Sequence, residues 1–467
     1  FAYTGPGGLP WPAAGRMKSV LTPPGRAALA LGLLFAWLLS LPLAGPLLMR
    51  AAPPGLGPLS AAQSFTLVHA LSLLLLGLLS VRLPLASSLP WLGAATGCLG
   101  LALAALPAAR WTPLLMAAGA ASAAGVLGIG GALASLGPKE RPWCIALGAL
   151  LANLPLYVTS QPGMAWLDRP FALLLALGPL ALPWLLSAPE EKREGGPPFA
   201  WWGFLPLLPA VSCVYLVGGL MYSLVLPTLG GLGERLGALP YMALLPAAAW
   251  ATAHLGREWA GRGGLTLLGL GFLGWALLSG QGRDLCGQAL VVGGYAFLDV
   301  FLWNAFAERA ERPALAFGLG LGSMVLAIFG GMALSPWVAE LAQAREEAAA
   351  LVATAALLVA AALLPLWQGG RAAPMTPAPA PVDLDGWGLS GREREVLALV
   401  ARGLSNKEVA RALGVSPHTV RKLLERAYRK MGVGSRTEAI SLLQGLAEQR
   451  PPGGDGERGE ASLSGRP

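Results

Sequence analysis

Side chains that could bind a nucleic acid are concentrated in one short segment, SNKEVARALGVSPHTVRK, from Ser405 to Lys422, and in the residues just after it. Arg421 and Lys422 carry donors that match guanine O6 and N7, and Glu425 can accept from cytosine N4. Donors suited to phosphate oxygens surround them: Ser405, Asn406, Lys407, Ser416, Thr419, Arg426, Arg429 and Lys430. Each single side chain is equally consistent with a solvated surface charge.

Residues 389–449 contain elements that would position these side chains. Three Ser-x-x-Glu capping boxes and the Ser416-Pro417 start predict four helices, at 391–402, 406–413, 417–431 and 436–448. Gly414 follows the second helix, where a left-handed residue would give the tight turn of a helix-turn-helix. Eleven Lys and Arg against six Glu give this unit a net charge of about +5. Turn and charge together favour DNA binding over a protein-interaction bundle.

Apolar residues at helical spacing predict a core for this unit. They are Val396, Leu399, Val400, Val409, Ala410, Leu413, Val420, Leu424, Met431, Ile440 and Leu443.

The run from Leu389 to Leu443 resembles the DNA-binding domain of LuxR-type transcriptional regulators. The matching motifs are LSGREREVL, GLSNKEVA, LGVSPHTV and KMGV. The resemblance implies that the third helix reads bases from its first turns and that two domains pair through residues 437–447. This family commonly has His where this chain has Leu423, and often Asn where it has Arg426, so the preferred DNA sequence is expected to differ.

Residues 27–367 have a different character, with apolar runs of membrane-spanning length. The whole chain is 55% hydrophobic and 12% charged, whereas soluble domains carry about 25% charged residues. About twelve spans are predicted, or eleven if two closely spaced runs form one. They lie near 27–49, 64–81, 89–107, 112–136, 143–159, 170–187, 200–228, 238–254, 263–279, 285–307, 313–336 and 347–367.

The polar loop PEEKREGGPP, residues 189–198, divides these spans into six plus six. This layout is similar to that of the major facilitator superfamily, in which two six-helix halves enclose a central cavity. That superfamily has a Gly- and Asp-Arg-rich loop between spans two and three. Here the loop reads VRLPLASS and lacks Asp. This departure argues against a working transport cycle but not against the fold. The fold class expected is therefore all-α: a polytopic membrane bundle followed by a four-helix LuxR-type domain.

The distribution of Lys and Arg predicts a multi-pass protein of the bacterial cytoplasmic membrane with both termini in the cytoplasm. Thirteen basic residues fall in the segments assigned to the inside: Arg16, Lys18, Arg26, Arg82, Lys139, Arg141, Lys192, Arg193, Arg257, Arg262, Arg309, Arg312 and Arg371. Six fall outside: Arg50, Arg110, Arg169, Arg235, Arg283 and Arg345.

Three segments lie outside the two predicted domains. Residues 1–26 are expected to be a disordered or non-native leader, because Met17-Lys18 has the form of a natural start. Residues 368–388 alternate Pro and Ala, which predicts an extended linker. Residues 450–467 are rich in Gly, Pro and charge, which predicts a disordered tail.

Polar residues inside the predicted spans are candidates for a small-molecule cavity. Gln288, Tyr295 and Asp299 share a face of the tenth span at helical spacing, and Tyr215 and Tyr222 share one in the seventh. The alternative is a set of hydrogen bonds that only hold helices together.

The sequence contains no paired-carboxylate cluster, no metal-spaced set of His and Cys and no nucleophile elbow, and its four cysteines are scattered in apolar runs. We therefore expect no catalytic site, no metal site and no cofactor. Our first hypothesis is a membrane-anchored one-component regulator that binds double-stranded DNA under control of the bundle. The alternatives are a secondary transporter with a regulatory DNA-binding appendage and a membrane scaffold whose basic domain binds protein.

Overall fold

The computed structural model describes residues 21–43, 45–186, 199, 201–220, 236–309, 311–344, 354, 357, 361, 387–401, 406–413, 415–436, 438–439 and 442–443. Within these residues the structure is helical, apart from turns and one isolated bridge between Leu56 and Leu59. The chain divides into two compact units, residues 1–368 and 369–467. The described helices of the first unit, from Pro23 to Ala344, are called the membrane bundle below.

The first half of the membrane bundle is a series of helices with short connections. They are α1 (Pro23–Ser40), α2 (Pro46–Ala51), α3 (Ala61–Leu79), α4 (Leu89–Ala105), α5 (Trp111–Ala134), α6 (Glu140–Ser160), α7 (Asp168–Leu180) and α8 (Leu182–Leu185).

The second half contains α9 (Trp201–Phe204), α10 (Leu207–Leu220), α11 (Leu239–His254), α12 (Arg257–Leu277), α13 (Gly280–Leu285), α14 (Gly293–Ala307) and α15 (Pro313–Ala344). A π-helical segment, Cys286–Val292, joins α13 to α14 without a break. The second unit contains α16 (Gly391–Ala401), α17 (Asn406–Leu413) and α18 (Pro417–Met431).

The first predicted span, 27–49, is two helices rather than one. α1 ends at Ser40 and α2 begins at Pro46. Pro42 and Pro46 lack the amide hydrogen that a continuous helix would need, so the chain turns between them.

The described bundle has the composition and surface of a membrane protein. Seven of its helices or helix pairs are long and apolar enough to cross a bilayer, and α4 and α10 are shorter apolar helices. Large apolar side chains face outward, with Trp91, Trp166 and Trp337 exposed by 66%, 72% and 73%. The number twelve stays a prediction, because residues 221–235 and most of 347–367 lie outside the described residues.

The most extensive contacts between the two halves are those of α3 with α15 and of α6 with α11, and α5 also packs against α14 and α15. The α3–α15 contact depends on Gly77 and Gly318. A Cβ on Gly77 would lie 2.8 Å from the Gly318 Cα, and one on Gly318 would lie 2.5 Å from the Gly77 Cα. Only glycine permits this backbone approach, which is a common basis of helix association in membranes.

Aromatic rings fill part of the interface between the halves. Trp303 on α14 packs edge-on against Phe35 of α1 and Phe317 of α15, with centroid distances of 5.4 and 5.5 Å. Phe306 packs against Phe317 at 5.8 Å. We call Phe35, Trp303, Phe306 and Phe317 the aromatic cluster. Phe317 and Gly318 are neighbours near the start of α15. The aromatic cluster and the glycine contact therefore close the same end of the interface between the halves, the end at which α15 begins.

Arg141 shows how the bundle accommodates a buried charge. Its Nε donates to the Leu133 carbonyl (2.9 Å) and its Nη2 to the Leu136 carbonyl (2.8 Å). These carbonyls lie at the C-terminal end of α5, where carbonyl groups lack helical partners and the helix dipole favours a cation. The contact fixes the start of α6 against the end of α5.

Candidate nucleic-acid interface

The second unit has a hydrophobic core of its own. Eight of the predicted core residues are buried: Val396, Val400, Val409, Ala410, Val420, Leu424, Met431 and Leu443. Leu399 and Leu413 are partly buried against them, and Ile440 lies outside the described residues. Leu389, Leu397 and Ala427 are buried as well. The core lies between α16, α17 and α18 and holds α18 by its apolar face.

Side-chain caps set where the helices begin. Ser390 Oγ accepts from the Glu393 amide (3.3 Å), and Glu393 Oε2 accepts from the Ser390 amide (2.8 Å), which confirms the predicted capping box. Ser435 Oγ likewise accepts from the Glu438 amide (3.2 Å), while Glu438 Oε2 accepts from the amide of Gly434 (2.8 Å). The box predicted at Ser405 lies outside the described residues.

The turn between α17 and α18 has the hydrogen bonds of a helix-turn-helix connection. The Val415 amide donates to the Ala410 carbonyl (2.9 Å), five residues back, which is the bond that closes a helix C-terminus before a sharp turn. Ser416 then caps α18 by accepting from the Thr419 amide (3.1 Å). Gly414 itself lies outside the described residues.

α18 presents most of the predicted DNA-binding side chains on its exposed face. These are Ser416, Thr419, Arg421, Lys422, Glu425 and Arg426. Arg421 Nε donates to Glu425 Oε1 (3.1 Å), and the two side chains are 71% and 56% exposed. An ion pair this exposed contributes little to stability, so both groups are available to a partner.

The remaining predicted residues have other surroundings. Asn406 is half-buried and accepts from Arg436 Nη1 at 3.5 Å, a distance at the limit for a hydrogen bond. The side chain of Lys407 and all of Ser405 lie outside the described residues. Lys430 is engaged within the fold, because its Nζ donates to Glu393 Oε2 (2.8 Å) and to the Gly388 carbonyl (3.0 Å).

The Lys430–Glu393 pair is a structural contact that the sequence pattern did not predict. The Glu393 side chain is only 4% exposed. The Lys430 ammonium and the Ser390 amide lower the pKa of this carboxyl from 4.5 to about 2. A lowered pKa means that the folded state favours the carboxylate. The contribution to stability is therefore complete above pH 4.5 and disappears as the pH falls towards 2.

A second polar group lies inside the membrane bundle, where Asp299 of α14 accepts two hydrogen bonds. Tyr215 of α10 donates to its Oδ1, and Tyr241 of α11 donates to its Oδ2 (2.6 Å). Tyr295, one turn before Asp299, donates to the Val214 carbonyl (3.2 Å), and its ring centroid lies 5.5 Å from that of Tyr215. We call Asp299, Tyr215, Tyr241 and Tyr295 the carboxylate–tyrosine cluster.

The structure thus brings together three of the five residues predicted for a cavity and adds Tyr241. Gln288 has a backbone partner, because its Nε2 donates to the Gly237 carbonyl (2.9 Å). The prediction assumed a regular α-helix, whereas the π-helical segment Cys286–Val292 has wider turns and changes the direction of side chains before Tyr295. Tyr222 lies outside the described residues.

We expect Glu393→Gln to lower the free energy of unfolding of the fragment 369–467 by about 1–3 kcal/mol at pH 7. Glutamine keeps the cap on Ser390 but loses the charge that pairs with Lys430. The loss of stability between pH 4.5 and pH 2 should also become shallower. Urea unfolding followed by circular dichroism measures both effects.

Glu395→Gln is the matched control, because Glu395 is 52% exposed and pairs with the exposed Arg392. It should change the free energy of unfolding by less than about 0.5 kcal/mol. Equal losses in the two variants would contradict a specific role of the Lys430–Glu393 pair.

Comparison with known proteins supports a DNA-binding assignment for the second unit. Residues 388–443 match the family described as bacterial regulatory proteins, luxR family. The putative HTH-type transcriptional regulator YhjB of Escherichia coli K12 is 49% identical over 55 residues, 12% of this chain and 28% of YhjB. The DNA-binding transcriptional activator DevR/DosR of Mycobacterium tuberculosis is 36% identical over 66 residues, 14% of this chain and 30% of that protein. The match therefore spans less than a third of either relative.

The membrane bundle is similar to solved transporter structures. A bacterial homologue of the iron transporter ferroportin in an outward-facing state has a TM-score of 0.53 at 16% identity and covers 75% of this chain and all of that one. The human organic anion transporter MFSD10 has a TM-score of 0.55 at 18% identity, over 74% of this chain and all of that one. The E. coli fucose:proton symporter FucP has a TM-score of 0.52 at 14% identity, over 73% of this chain and 98% of that one. Identities this low establish the fold alone.

FucP is a major facilitator superfamily transporter, and the relatives reported above are transcriptional regulators and transporters, not enzymes. The C-terminal domain of this chain is therefore a luxR-family helix-turn-helix domain, joined in one polypeptide to a membrane region with a major-facilitator-like fold.

Proposed function

We propose that this protein is a membrane-anchored one-component transcriptional regulator whose bundle controls DNA binding by the helix-turn-helix domain. The observation that carries the proposal is the presence in one chain of two units with separate cores. One has a transporter-like fold, and the other is a luxR-family domain with an exposed recognition helix.

The proposed DNA contacts divide into two kinds. Arg421, Lys422 and Glu425 lie on the first turns of α18, which enter the major groove in a helix-turn-helix complex and meet base edges there. Flanking residues would hold phosphates. These are Ser416 at the cap of α18, Thr419 and Arg426 on α18, and Asn406 and Lys407 at the start of α17. Lys430 would have to break its bonds to Glu393 and Gly388 to join them.

The proposed location is the bacterial cytoplasmic membrane with both termini in the cytoplasm. The excess of Lys and Arg in alternate loops supports this orientation. It would place the helix-turn-helix domain on the same side as the chromosome. It would also make the end closed by the aromatic cluster the cytoplasmic end of the bundle.

Control of DNA binding requires that the bundle have two arrangements between which a signal discriminates. The glycine contact between α3 and α15 and the aromatic cluster hold the halves together at one end of the described interface. Opening that end would move α15, which leads along the chain into residues 345–388 and the DNA-binding domain. Pairing of two domains through residues 437–447 is a further part of the proposal; most of that segment lies outside the described residues.

We expect the fragment 369–467 to bind DNA from its own locus with an affinity that falls steeply with salt. Arg421→Ala should cost about 1–3 kcal/mol and relax the preference at one base pair. Arg426→Ala should weaken binding to all sequences and reduce the slope of log K against log salt by about 1. Fluorescence anisotropy with labelled duplexes measures these effects.

Arg392→Ala removes an exposed cation of α16 and is the control. It should leave the affinity within about twofold, as expected for a charge outside the interface. A fragment with no DNA affinity at low salt would contradict the proposal and favour a protein-binding domain.

We expect Phe317→Leu in the intact protein to change its DNA affinity by about fivefold or more. The substitution removes a ring from the aromatic cluster and weakens closure of that end of the bundle. Binding by the intact protein in lipid nanodiscs is compared with binding by the fragment, which lacks residue 317. Trp337→Ala, at an exposed position on the same helix, should have no effect. Equal affinities of wild type and Phe317→Leu would argue against control by the bundle.

A secondary transporter with a regulatory DNA-binding appendage is the second candidate, favoured by the transporter fold and by the buried carboxylate of Asp299. It predicts substrate flux into proteoliposomes that stops in Asp299→Asn. Flux that persists in this variant, or no flux in a broad substrate screen, would count against a transport role.

A further inference from the structure

The helical hairpin formed by α11 and α12 carries aromatic and basic side chains at its closed end. Trp250 and His254 lie in the last two turns of α11, and Trp259 and Arg262 lie in the first two turns of α12. All four side chains are exposed. Because only two residues join the helices, the four lie at a similar depth along the hairpin. We call Trp250, His254, Trp259 and Arg262 the hairpin patch.

The hairpin patch ends a surface of α12 that is apolar and exposed along the rest of its length. The exposed side chains further along this helix include Leu270, Leu273 and Leu277, while α12 packs inward against α14. In a membrane bundle such an apolar surface faces acyl chains. Tryptophan and arginine at the end of an apolar surface lie where the lipid headgroups begin, because each has an apolar body and a polar end.

Each basic side chain of the hairpin patch lies against a tryptophan ring. The Arg262 Cζ is 5.9 Å from the centroid of the Trp259 ring. The ring of His254 stacks on that of Trp250, with centroids 5.5 Å apart and an angle of 23° between the planes. Contact with the ring attracts the guanidinium and restricts its long side chain. The positive charge is therefore held at the depth of the tryptophan rings.

Arg262 carries a positive charge that the fold does not neutralise. In the part of the chain that the structure describes, no carboxylate forms an ion pair with it. The carboxylates near this end of the hairpin are used elsewhere. Glu308 pairs with Arg257, and the Oε1 of Glu258 is buried. An anion that approaches from the membrane surface therefore meets the guanidinium of Arg262 without a competing carboxylate.

We propose that the hairpin patch binds the phosphate headgroup of an anionic phospholipid, whose acyl chains lie along the exposed leucines of α12. A guanidinium presents paired donors that match phosphate oxygens, and tryptophan rings favour the region just below the phosphate. A zwitterionic headgroup has a cation of its own, so its net attraction to Arg262 is weaker. Basic groups beside a membrane span are a common means of recognising anionic lipid.

The proposal requires only that the bundle lie in a bilayer. In the orientation proposed above, the hairpin patch would face the cytoplasmic leaflet. Neither the contacts of the patch nor the test below involves DNA.

The test uses the intact protein in the uncharged detergent dodecyl maltoside and follows its thermal unfolding by tryptophan fluorescence. The sequence has 16 tryptophans, and Trp387 is the single one in residues 369–467, so the signal reports mainly on the bundle. Dihexanoylphosphatidylglycerol, dihexanoylphosphatidylcholine and inorganic phosphate are compared at constant ionic strength. We expect the anionic lipid alone to raise the Tm by about 2 °C or more in a saturable manner.

Arg262→Gln should raise the half-saturating concentration of the anionic lipid by about fivefold, the factor that corresponds to one basic residue at a lipid surface. This variant keeps all tryptophans, and its fold is expected to be intact because Arg262 is exposed. Arg262→Lys keeps the charge and should remain within about twofold of the wild type.

Arg283→Gln is the matched control. Arg283 also lies over a tryptophan ring, with its Cζ 5.1 Å from the centroid of Trp275, but it belongs to the other end of the hairpin and is followed in sequence by Asp284. Because a neighbouring carboxylate disfavours phosphate, this variant should leave the half-saturating concentration within about twofold.

Four results would overturn the proposal. They are the absence of a saturable rise with the anionic lipid, an equal rise with the zwitterionic lipid or with inorganic phosphate, an unchanged half-saturating concentration in Arg262→Gln, and equal effects of Arg262→Gln and Arg283→Gln. Failure of the isolated domain to bind DNA would refute the proposed regulator and leave the lipid site standing, so the two proposals fail separately.

Discussion

The backbone amides and carbonyls of the membrane bundle lie in surroundings without water, so each must find a partner inside the protein. Helices satisfy this requirement within themselves, and side chains complete it where helices end. Arg141 donates to two carbonyls at the end of α5, and Ser60 and Gln63 cap the start of α3 reciprocally. The helices then associate by close packing, and at the α3–α15 contact Gly77 and Gly318 let the two backbones approach directly.

The carboxylate–tyrosine cluster is unusual in such a bundle, because its polar groups are not needed to complete a helix. Asp299 lies in the middle of α14, whose backbone is already hydrogen-bonded. Its contacts instead join α14 to α10 and α11, so one carboxyl group links three helices. The aromatic cluster on the same face of α14 then relates this polar site to the contact between the two halves.

The second unit depends on a different balance. A small domain obtains limited stability from its core, and here the buried Glu393 links the start of α16 to the end of α18 through Lys430. This contact lies at the end of α18, away from the exposed side chains of its first turns. The exposed pair of Arg421 and Glu425 can therefore be exchanged for contacts with DNA at little cost to the fold.

The sequence by itself determined what depends on neighbours along the chain: the apolar helices, the Ser390–Glu393 capping box, the apolar face of α18 and the luxR motifs. Such features follow from periodicity and local hydrogen bonding, which act over three or four residues. Only the tertiary structure decided which distant groups meet. Tyr241 and Asp299 are 58 residues apart, and Lys430 and Glu393 are 37 apart. The break after α1 and the π-helical segment before α14 also change the direction of the side chains that follow them. A regular helical period does not predict such changes. Long-range contacts depend on how whole helices pack, and no local pattern records that packing.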